Sequence, residues 1–484
     1  IPLHQFRHIG EFGEAGVEFV LARRADFPIV DDLAELESAV AEGFDVTRQW
    51  SLRVRILETS VNDHILAVVV HHIAVDGESL LPLLVDLTTA YAARVAGSEP
   101  EFEPLAIQFA DFAIWQHEVL GTPEEPDSVI GRQVDYWRKQ LAGVPDVLEL
   151  PADRPRPPQA SHRGAAIDVD LPDGLGARVE SLAAQSGATP FMVLHAALAA
   201  LLSRLSATSD ITVSTPTSGR GQDVLDPLIG MFVNSLVLRA QVDPAMPFGG
   251  LLEQVRATDL DAFAHADIPF ESVVEAVDPV RSEAFSPLAQ VVLSFDPGAS
   301  AETADVEISG VAFARVPAPV VPAHSDLSVV VHSGAGGAAW SLTLVYATDL
   351  FDEATARVLG EQFVRVLDGV TADPAIAVGD VAVLDAAGER EIVAASAGPT
   401  LDVRFATVAD MVAAQVQTRA GETALVFGDR SVSYAEFGAR VNVLARELIS
   451  QGVGPETAVG VVIDRSVEMF VAIHAVIAAD ARAG

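Results

Sequence analysis

The apolar positions of this chain recur at two spacings, one that predicts strands and one that predicts helices. Residues 52–56, Leu-Arg-Val-Arg-Ile, alternate between apolar and charged, which predicts a strand with one face in water. Residues 65–70 are an unbroken apolar run and predict a buried strand. Residues 79–96 carry leucines at helical spacing, which predicts a helix with Ser79 as a candidate N-cap.

The same two spacings continue to the end of the chain. Further helices are predicted at residues 107–120, 131–141, 190–205, 251–263, 352–367 and 434–450, and after residue 463. Further strands are predicted at residues 166–171, 211–215, 231–238, 290–295, 327–332, 340–346 and 457–463. A hairpin is predicted where residues 423–427 and 431–434 flank Gly428-Asp429-Arg430. Strands and helices alternate throughout, which is typical of the α/β class.

Two segments divide this pattern into units. Residues 151–158, Pro-Ala-Asp-Arg-Pro-Arg-Pro-Pro, exclude a helix or a central strand and predict a linker between two lobes. Residues 372–404 are rich in Ala, Gly and Asp and predict a second linker. The expected organisation is a first domain at 1–371, with lobe one at 1–150 and lobe two at 159–371, then the linker at 372–404, and the opening of a second domain at 405–484.

Composition limits the classes of partner. Half of the 484 residues are hydrophobic, which suffices for large buried cores. The net charge of −38 argues against nucleic acid and against anionic membrane surfaces as partners. The chain has no cysteine, which excludes disulfides and thiolate metal ligands and suits a reducing, cytoplasmic location. The apolar runs at 191–202 and 467–479 are too short to span a bilayer, and no signal peptide is visible.

The most informative chemical pattern follows the strand predicted at 65–70. His71-His72-Ile73-Ala74-Val75-Asp76-Gly77 places two imidazoles, a carboxylate and a glycine where that strand ends. Histidine titrates near neutral pH and can therefore exchange protons with a substrate. Because neighbouring side chains of a strand point to opposite faces, only one of His71 and His72 can face a given site.

This motif and five later segments, in the same order, resemble the condensation domains of nonribosomal peptide synthetases. The later segments are Phe109-Ala110-Asp111-Phe112-Ala113-Ile114-Trp115, then Ile229-Gly230-Met231-Phe232-Val233-Asn234-Ser235 followed by Arg239, then His265-Ala266-Asp267-Ile268-Pro269-Phe270-Glu271, then Arg281 through Pro287-Leu288, and Tyr346-Ala347-Thr348-Asp349-Leu350-Phe351. Beyond them, Val432-Ser433-Tyr434-Ala435-Glu436-Phe437 resembles the first motif of an adenylation, or AMP-binding, domain.

The resemblance implies an α/β fold with two chloramphenicol-acetyltransferase-like lobes in a V arrangement, followed by the first part of an adenylate-forming α/β domain. It implies amide bond formation between a donor acyl thioester and an acceptor aminoacyl thioester. Both would be carried on the phosphopantetheine arms of upstream and downstream peptidyl carrier domains. The condensation domain would bind no cofactor or metal of its own, while ATP and Mg²⁺ belong to a complete adenylation domain beside it.

The resemblance also assigns roles within the motif. It selects His72 as the catalytic histidine and leaves His71 a packing or hydrogen-bonding role. Asp76 is either a second base or an ion-paired residue that holds the loop, and the usual pairing of buried acids favours the second role. Gly77 permits a tight turn and a close approach of the backbone to a substrate or oxyanion.

Four further residues are considered for support or binding. Asn234 interrupts an apolar strand, so it either hydrogen-bonds the substrate or its pantetheine arm or is a satisfied core amide, and both roles stay open. Arg239 is interpreted as a salt-bridge residue and Trp115 as a packing anchor. The isolated His195 lies in an apolar helix and is interpreted as a core residue.

The chain departs from the family at its start. The family's first two motifs, one of them of the R-H-E-x-L-R-T type, are absent, and roughly 50 to 90 residues of the first lobe are expected to be missing. Both ends are expected to be cut from a longer protein. The arginine that holds the motif aspartate is expected in the missing part, so Asp76 is predicted to lack its partner.

The sequence leaves other functions open. The chain could be an inactive scaffold that docks carrier domains, or a free-standing acyltransferase of the same superfamily, although the adenylation start favours a multidomain synthetase. Epimerization domains usually carry a serine–tryptophan pair, whereas Ser79 is followed here by Leu80. The aspartate pattern of heterocyclization domains and the D-F-G-W-G motif of plant-type acyltransferases are both absent from the sequence.

Overall fold

A computed structural model of the chain describes residues 29–30, 38, 42–60, 63–123, 125–297, 306–308, 311–313, 321–334, 339–398, 405 and 407–482. The chain divides into two units, and the boundary between them in the sequence lies between Gly388 and Glu389. Within the first unit, lobe one denotes the residues before the Pro-rich segment at 151–158, and lobe two denotes those after it.

Lobe one is built on a three-stranded sheet. The strands are β1 (Ile29–Val30), β2 (Leu52–Glu58) and β3 (His64–Val70), with β2 between the other two, parallel to β1 and antiparallel to β3. The helices that follow are α1 (Leu80–Val95), α2 (Phe109–Leu120) and α3 (Val129–Gln140). The strand predicted at 65–70 is present, but Leu66 and Val68 on one of its faces are exposed, so the prediction that it is fully buried is wrong.

Lobe two is built on a seven-stranded mixed sheet. In chain order its strands are β4 (Arg163–Val169), β5 (Asp210–Thr217), β6 (Asn234–Gln241), β7 (Val291–Pro297), β10 (Val321–Pro322), β11 (Leu327–Ser333) and β12 (Ser341–Ala347). Their order across the sheet is β10-β4-β12-β11-β7-β5-β6, and β7 runs parallel to both β5 and β11. The remaining strands, β8 (Val306–Ile308) and β9 (Val311–Phe313), form a small hairpin.

The largest apolar core lies between one face of this sheet and four helices. The helices of lobe two are α4 (Leu175–Gln185), α5 (Pro190–Ser206), α6 (Phe248–Phe263), α7 (Phe270–Val277) and α8 (Glu353–Ala372), and all but α7 contribute to this core. Thr189 starts α5, because its side chain accepts a hydrogen bond from the Met192 amide and proline follows it. His195 of α5 is fully buried with Nδ1 3.0 Å from Asp259, so its interpretation as a core residue is confirmed.

A second core joins the two lobes. It contains Trp137 and Val134 of α3 together with Leu236 of β6 and Val273 of α7. The Trp137 indole donates to the carbonyl oxygen of His265 at 2.9 Å. The last helix of lobe one is therefore packed into lobe two.

The two predicted linkers differ in structure. Residues 151–158 are irregular, as predicted, and are tied to lobe two by ion pairs of Arg154 with Asp352 and of Arg156 with Asp326. Part of the second segment, 372–404, is instead packed on lobe two. Its Ile376 carbonyl accepts from the Phe248 amide at 2.9 Å.

Other contacts confirm this packing. Val378 and Val381 are buried. Residues 386–396 form helix α9 (Ala386–Ser396), which has no buried residue. The Ala- and Gly-rich composition therefore did not mark an extended linker over the whole segment, because small residues also pack closely. The exact domain boundaries remain predictions.

The second unit has its own core of residues from a hairpin and three helices. These elements are α10 (Val408–Thr418), β13 (Thr423–Phe427), β14 (Arg430–Ser433), α11 (Tyr434–Ser450) and α12 (Val467–Arg482). The predicted hairpin is confirmed, with Gly428 at φ +58° between its strands. The strand predicted at 457–463 is wrong. The segment is irregular and Val462 is 96% exposed, because no described strand lies beside it to supply hydrogen bonds.

The described residues contain no single helix that is long and apolar enough to cross a membrane. Helices α4 and α5 reach that length and hydropathy only together, and they are bent by 103° at the break between them.

Candidate active site

The candidate site is the histidine loop, residues 71–77, which leaves the lobe-one sheet at the end of β3. Its first residue is held in place from three sides. The His71 amide donates to the Ser51 carbonyl oxygen at 2.8 Å, and His71 Nδ1 accepts from the Ile73 amide at 3.0 Å. The His71 ring also meets the Phe44 ring edge to face, with centroids 6.1 Å apart. These contacts suit the predicted hydrogen-bonding role of His71.

His72 differs from its neighbour. It opens a short 3-10 turn, His72–Ala74, and is exposed. Within the described residues, its ring makes no hydrogen bond to a protein group, whereas its carbonyl oxygen accepts from the Val75 amide at 3.4 Å. Val75 is buried and anchors the turn. An exposed imidazole on an anchored turn is free to bind a substrate.

Asp76 lies at the centre of a buried polar group, here called the Asp76 cluster, which consists of Asp76, Ser79, Arg220 and Phe232. The Asp76 carboxylate accepts from the Ser79 amide at 2.9 Å, the Ser79 hydroxyl at 2.6 Å, Arg220 Nη2 at 3.0 Å and the Phe232 amide at 3.0 Å. Two of these donors belong to lobe two. The cluster therefore fixes the end of the histidine loop against the other lobe.

The same contacts decide the charge of Asp76. Burial alone would raise its pKa, but the hydrogen bonds from Ser79, Phe232 and Arg220 together outweigh burial and lower the pKa below the ordinary value of 3.8. Asp76 is therefore ionised at neutral pH, and its oxygens are occupied. This geometry favours the loop-holding role over that of a second base.

The prediction that Asp76 lacks an arginine partner is wrong. The partner is Arg220, which follows β5 in lobe two and is buried with the carboxylate. Its guanidinium lies 4.0 Å from the centre of the Phe232 ring, and its Nη1 donates to the carbonyl oxygens of Leu225 at 2.6 Å and Leu228 at 2.9 Å. Arg220 and Asp76 are 144 positions apart in sequence, so no local pattern revealed the pair.

A weak signal for Arg220 was nevertheless present. Ser218-Gly219-Arg220-Gly221 places a cation between two glycines shortly after the strand predicted at 211–215. Gly219 has φ +66°, and a Cβ added there would lie 2.0 Å from the carbonyl oxygen of Phe232. Only glycine fits this position, so the turn that presents Arg220 is specified locally.

Sequence reasoning also gave Ser79 the wrong role. Ser79 does precede α1, but its side chain makes no capping bond. Its hydroxyl proton lies within reach of Asp76 and of the Gly230 carbonyl oxygen at 3.0 Å, and its oxygen accepts from the Gly230 amide at 3.1 Å and from Arg220 at 2.9 Å.

These bonds also explain why β6 begins at Asn234 and not at the predicted residue 231. The amides of Gly230 and Phe232 bind the Asp76 cluster instead of a neighbouring strand.

Gly77 and Asn234 differ in the space around them. Gly77 is exposed, and a Cβ there would meet nothing within 4 Å, so packing does not require glycine at this position. The Asn234 amide nitrogen donates to the carbonyl oxygens of Ala266 at 3.0 Å and Ile268 at 2.7 Å, and its oxygen accepts from the Phe270 amide at 3.0 Å. Asn234 thus holds the 266–270 loop, which favours the interpretation as a satisfied amide over substrate binding.

The two predicted supporting residues have different outcomes. Arg239 forms a two-bond ion pair with Asp210, at 2.8 and 2.7 Å, and donates to the Gln140 carbonyl oxygen at 2.7 Å, as a salt-bridge residue does. Trp115 is 47% exposed and touches Phe112 with ring centroids 5.9 Å apart. Phe112 faces inward on α2 and packs on Phe232, so Phe112 is the anchor and the expectation for Trp115 is wrong.

Within the described residues, no group of three or more His, Asp or Glu side chains is placed to hold a metal ion. The histidine loop presents an exposed imidazole, an open glycine backbone and an ionised, buried carboxylate behind them.

Comparison with known families identifies the class of protein. Residues 30–393 match the condensation domain family, and residues 412–483 match the AMP-binding enzyme family. The first match covers more than half of the chain, so this chain belongs to the condensation domain family. Condensation domains of nonribosomal peptide synthetases catalyse peptide bond formation.

Two relatives show the protein context of this family. The chain is 40% identical over 452 residues to a probable non-canonical nonribosomal peptide synthetase, CymA, of Salinispora arenicola, with 91% of this chain and 6% of that protein covered. It is 36% identical over 482 residues to the dimodular nonribosomal peptide synthase of Bacillus subtilis, with 98% of this chain and 20% of that protein covered. The chain thus spans a fifth or less of either relative.

Solved structures confirm the fold class. The X-domain in its complex with OxyB from teicoplanin biosynthesis is 32% identical to this chain with a TM-score of 0.67, and the match covers 73% of this chain and 77% of that one. Solved condensation domains from two other biosynthetic enzymes share the fold. The expected α/β architecture of chloramphenicol-acetyltransferase-like lobes is therefore confirmed.

Proposed function

We propose that this condensation domain joins a donor acyl thioester to an acceptor aminoacyl thioester, and that His72 is its catalytic residue. The observation that carries the proposal is the contrast within the histidine loop. The His72 ring is exposed and unoccupied by described protein groups, while the next turn of chain is fixed by the buried Asp76 cluster. A general base must be held in a fixed position if it is to react with a substrate that is itself mobile.

The proposed reaction transfers one proton through His72. The acceptor ammonium first loses a proton to solvent, which leaves a neutral amine. Its nitrogen attacks the thioester carbonyl carbon, and His72 accepts an N–H proton as the C–N bond forms. The C–S bond then breaks, and the proton passes from His72 to the departing sulfur of the donor's pantetheine arm. The products are an amide and a thiol.

The other loop residues would support this step without exchanging protons. His71 holds the turn through its bond to the Ile73 amide. Asp76 stays ionised and holds the loop against lobe two. The open backbone at Gly77 leaves space for the substrate or for the carbonyl oxygen that becomes negative in the tetrahedral intermediate.

The proposed partners follow from the family and the AMP-binding match. Peptidyl carrier domains on either side would present the substrates on phosphopantetheine arms. A complete adenylation domain would use ATP and Mg²⁺, while the condensation domain would bind no cofactor. We place the protein in the cytoplasm, where other members of such synthetases and their ATP are expected to be.

The proposal is tested in the full-length synthetase module that contains this chain. Both carriers are loaded, and the acceptor carrier is analysed by mass spectrometry for the extended product. The wild type and His117→Gln, which alters an exposed histidine of α2, should form the product, and His72→Ala should not form it at a comparable rate. Undiminished product with His72→Ala would remove His72 from the proposal.

A second candidate is a domain that docks a partner without catalysing condensation. The observation in its favour is the likeness to an X-domain that is solved in a complex with another protein, OxyB. The same experiment separates the two functions, because a docking domain would give no extended product even in the wild type. A free-standing acyltransferase is disfavoured by the AMP-binding match that follows at residues 412–483.

A further inference from the structure

An aromatic residue of lobe one lies against the histidine loop and takes no part in the proposed proton transfer. Phe44 precedes β2 and is half-buried. Its ring meets the His71 ring at 89°, with the two centroids 6.1 Å apart. The His71 amide also donates to the carbonyl oxygen of Ser51, which directly precedes β2, at 2.8 Å. The first residue of the histidine loop is therefore held by the segment that leads into β2.

Arg53 of β2 holds Phe44 in turn. The guanidinium carbon lies 4.3 Å from the centre of the Phe44 ring, which is a cation–π contact. Nη1 donates to the Glu42 carbonyl oxygen at 2.9 Å, and Nη2 donates to the Gly43 carbonyl oxygen at 3.2 Å. The Arg53 side chain is only 10% exposed. Its planar group therefore binds residues 42–44 to the sheet through both the backbone and the aromatic ring.

The chain on the other side of Phe44 is also constrained. The Asp45 carbonyl oxygen accepts from the Arg48 and Gln49 amides at 3.0 and 2.8 Å, and Asp45 Oδ1 accepts from the Thr47 amide at 3.1 Å. These bonds close a compact turn of the kind that aspartate side chains favour. Phe44 is thus fixed between this turn and the backbone that Arg53 binds.

The orientation of the His71 ring decides whether it can hold the next turn of chain. His71 Nδ1 accepts from the Ile73 amide at 3.0 Å, and the 3-10 turn capped in this way begins with His72. A histidine ring is only loosely restrained about its Cβ–Cγ bond. An edge-to-face partner favours one ring plane over the others. Phe44 therefore favours the orientation in which Nδ1 reaches the Ile73 amide.

We propose that Phe44, held by Arg53, is a positioning residue for the condensation reaction and acts through His71. Phe44 fixes the plane of the His71 ring, and the bond from the Ile73 amide to that ring fixes the turn that carries His72. The inference rests on the proposed function, in which His72 exchanges the proton. Loss of the Phe44 ring should therefore slow amide formation only while His71 is present.

The test measures single-turnover rates of amide formation in the full-length module with both carriers loaded. Phe44→Leu keeps an apolar side chain but loses the ring, and it should lower the rate about 2- to 10-fold, the factor that corresponds to one aromatic pair. Phe44→Tyr keeps the ring and should restore the wild-type rate. Phe263→Leu on α6 is the matched control, because it breaks an edge-to-face pair with Phe191 whose centroids are 6.2 Å apart. The control should keep the wild-type rate.

A double-mutant cycle separates positioning from a general effect on folding. In a His71→Ala background, Phe44→Leu should lower the rate no further, because the ring that Phe44 positions is gone. An equal further loss in that background would show that Phe44 supports the lobe and not His71, which overturns the inference. Melting temperatures of all variants are measured in parallel, and the rates are compared at a temperature at which every variant is folded.

Arg53→Lys tests the other half of the inference. A lysine ammonium lacks the planar fork that binds two carbonyl oxygens while its face lies on the ring, so the variant should be slowed by a factor similar to that of Phe44→Leu. It should also have no further effect in the His71→Ala background. A wild-type rate in Arg53→Lys would overturn the role of Arg53.

The remaining outcomes separate the inference from the function on which it rests. An unchanged rate in Phe44→Leu, with product formed by the wild type and lost in His72→Ala, overturns the inference and leaves the proposed function standing. A rate for Phe44→Tyr as low as that for Phe44→Leu also overturns it, because the ring would then not be what matters. Absence of product from the wild type overturns the proposed function, and the inference with it.

Discussion

Protonation of Asp76 should make the stability of the protein depend on pH. Its pKa is lower in the folded protein than in the unfolded chain, so its contribution to stability is present above the unfolded value near 3.8 and is lost as the pH falls below it. Between pH 5 and pH 3, the wild type should therefore lose more stability than Asp76→Asn. Urea unfolding of the two proteins across this range measures the difference, and parallel losses would show that Asp76 does not hold this charge.

At neutral pH the contribution of ionised Asp76 is fully present, so the wild type should be more stable than Asp76→Asn. Asp76→Asn removes the buried carboxylate from Arg220 and leaves it the exposed Glu78 carboxylate, 3.3 Å from Nε, so the loss should approach the cost of breaking a buried pair, about 3–5 kcal/mol. The variant should thus unfold at a lower urea concentration than the wild type at pH 7. Equal midpoints would contradict the buried ion pair.

Ser79 offers a second test at this scale. Its hydroxyl contacts Asp76, Gly230 and Arg220, and Ser79 is fully buried, so Ser79→Ala leaves these groups short of a partner. We expect a loss of about 1–3 kcal/mol in the free energy of unfolding and slower amide formation. Ser98→Ala is the control, because Ser98 is exposed and its hydroxyl donates to a helix carbonyl oxygen at 3.1 Å. Equal effects of the two substitutions would argue against the cluster.

The environments of individual residues could be predicted from the sequence only in part. Strand alternation was used to separate His71 from His72, but β3 ends at Val70, and the two residues differ because His71 caps the 3-10 turn that His72 opens. The partner of Asp76 could not be read, because it depends on the contact between two lobes. Asn234 could not be assigned either, because a satisfied amide and a binding amide have the same sequence environment.

At the scale of elements, the turn after β5 carries a prediction. Gly219→Ala would place a Cβ 2.0 Å from the Phe232 carbonyl oxygen at an unfavourable φ of +66°, so the turn must move and carry Arg220 away from Asp76. Gly221→Ala is the matched control, since a Cβ there meets nothing within 4 Å. Gly219→Ala should lower the melting temperature by several degrees, and Gly221→Ala should leave it nearly unchanged. Similar values for both would contradict the role of the turn.

Elements with a long apolar periodicity were predicted well. Elements whose bounds depend on hydrogen bonding to another segment were predicted poorly. The helices at α5, α8 and α11 follow from their apolar spacing alone. The start of β6 shifted because the amides at 230 and 232 bind Ser79 and Asp76, which no strand pattern reveals. The strand predicted at 457–463 is irregular because no described strand lies beside it.

At the scale of the molecule, the two lobes are joined by the apolar core around α3 and by the polar Asp76 cluster. The apolar core holds the two lobes together by burying apolar side chains. The Asp76 cluster sets the position of the histidine loop relative to lobe two. Order of motifs was enough to predict the family and the α/β fold. It could not predict the interlobe contacts, because those depend on distances between segments far apart in sequence.

The central claim is that His72 performs the chemistry and that its neighbours only position it. The most direct test compares single-turnover rates of amide formation in the full-length module for the wild type, His71→Ala and His72→Ala. The account predicts a loss of about 10²- to 10⁴-fold for His72→Ala, the usual contribution of a general base, and a much smaller loss for His71→Ala. Equal losses in the two variants, or a wild-type rate in His72→Ala, would contradict it.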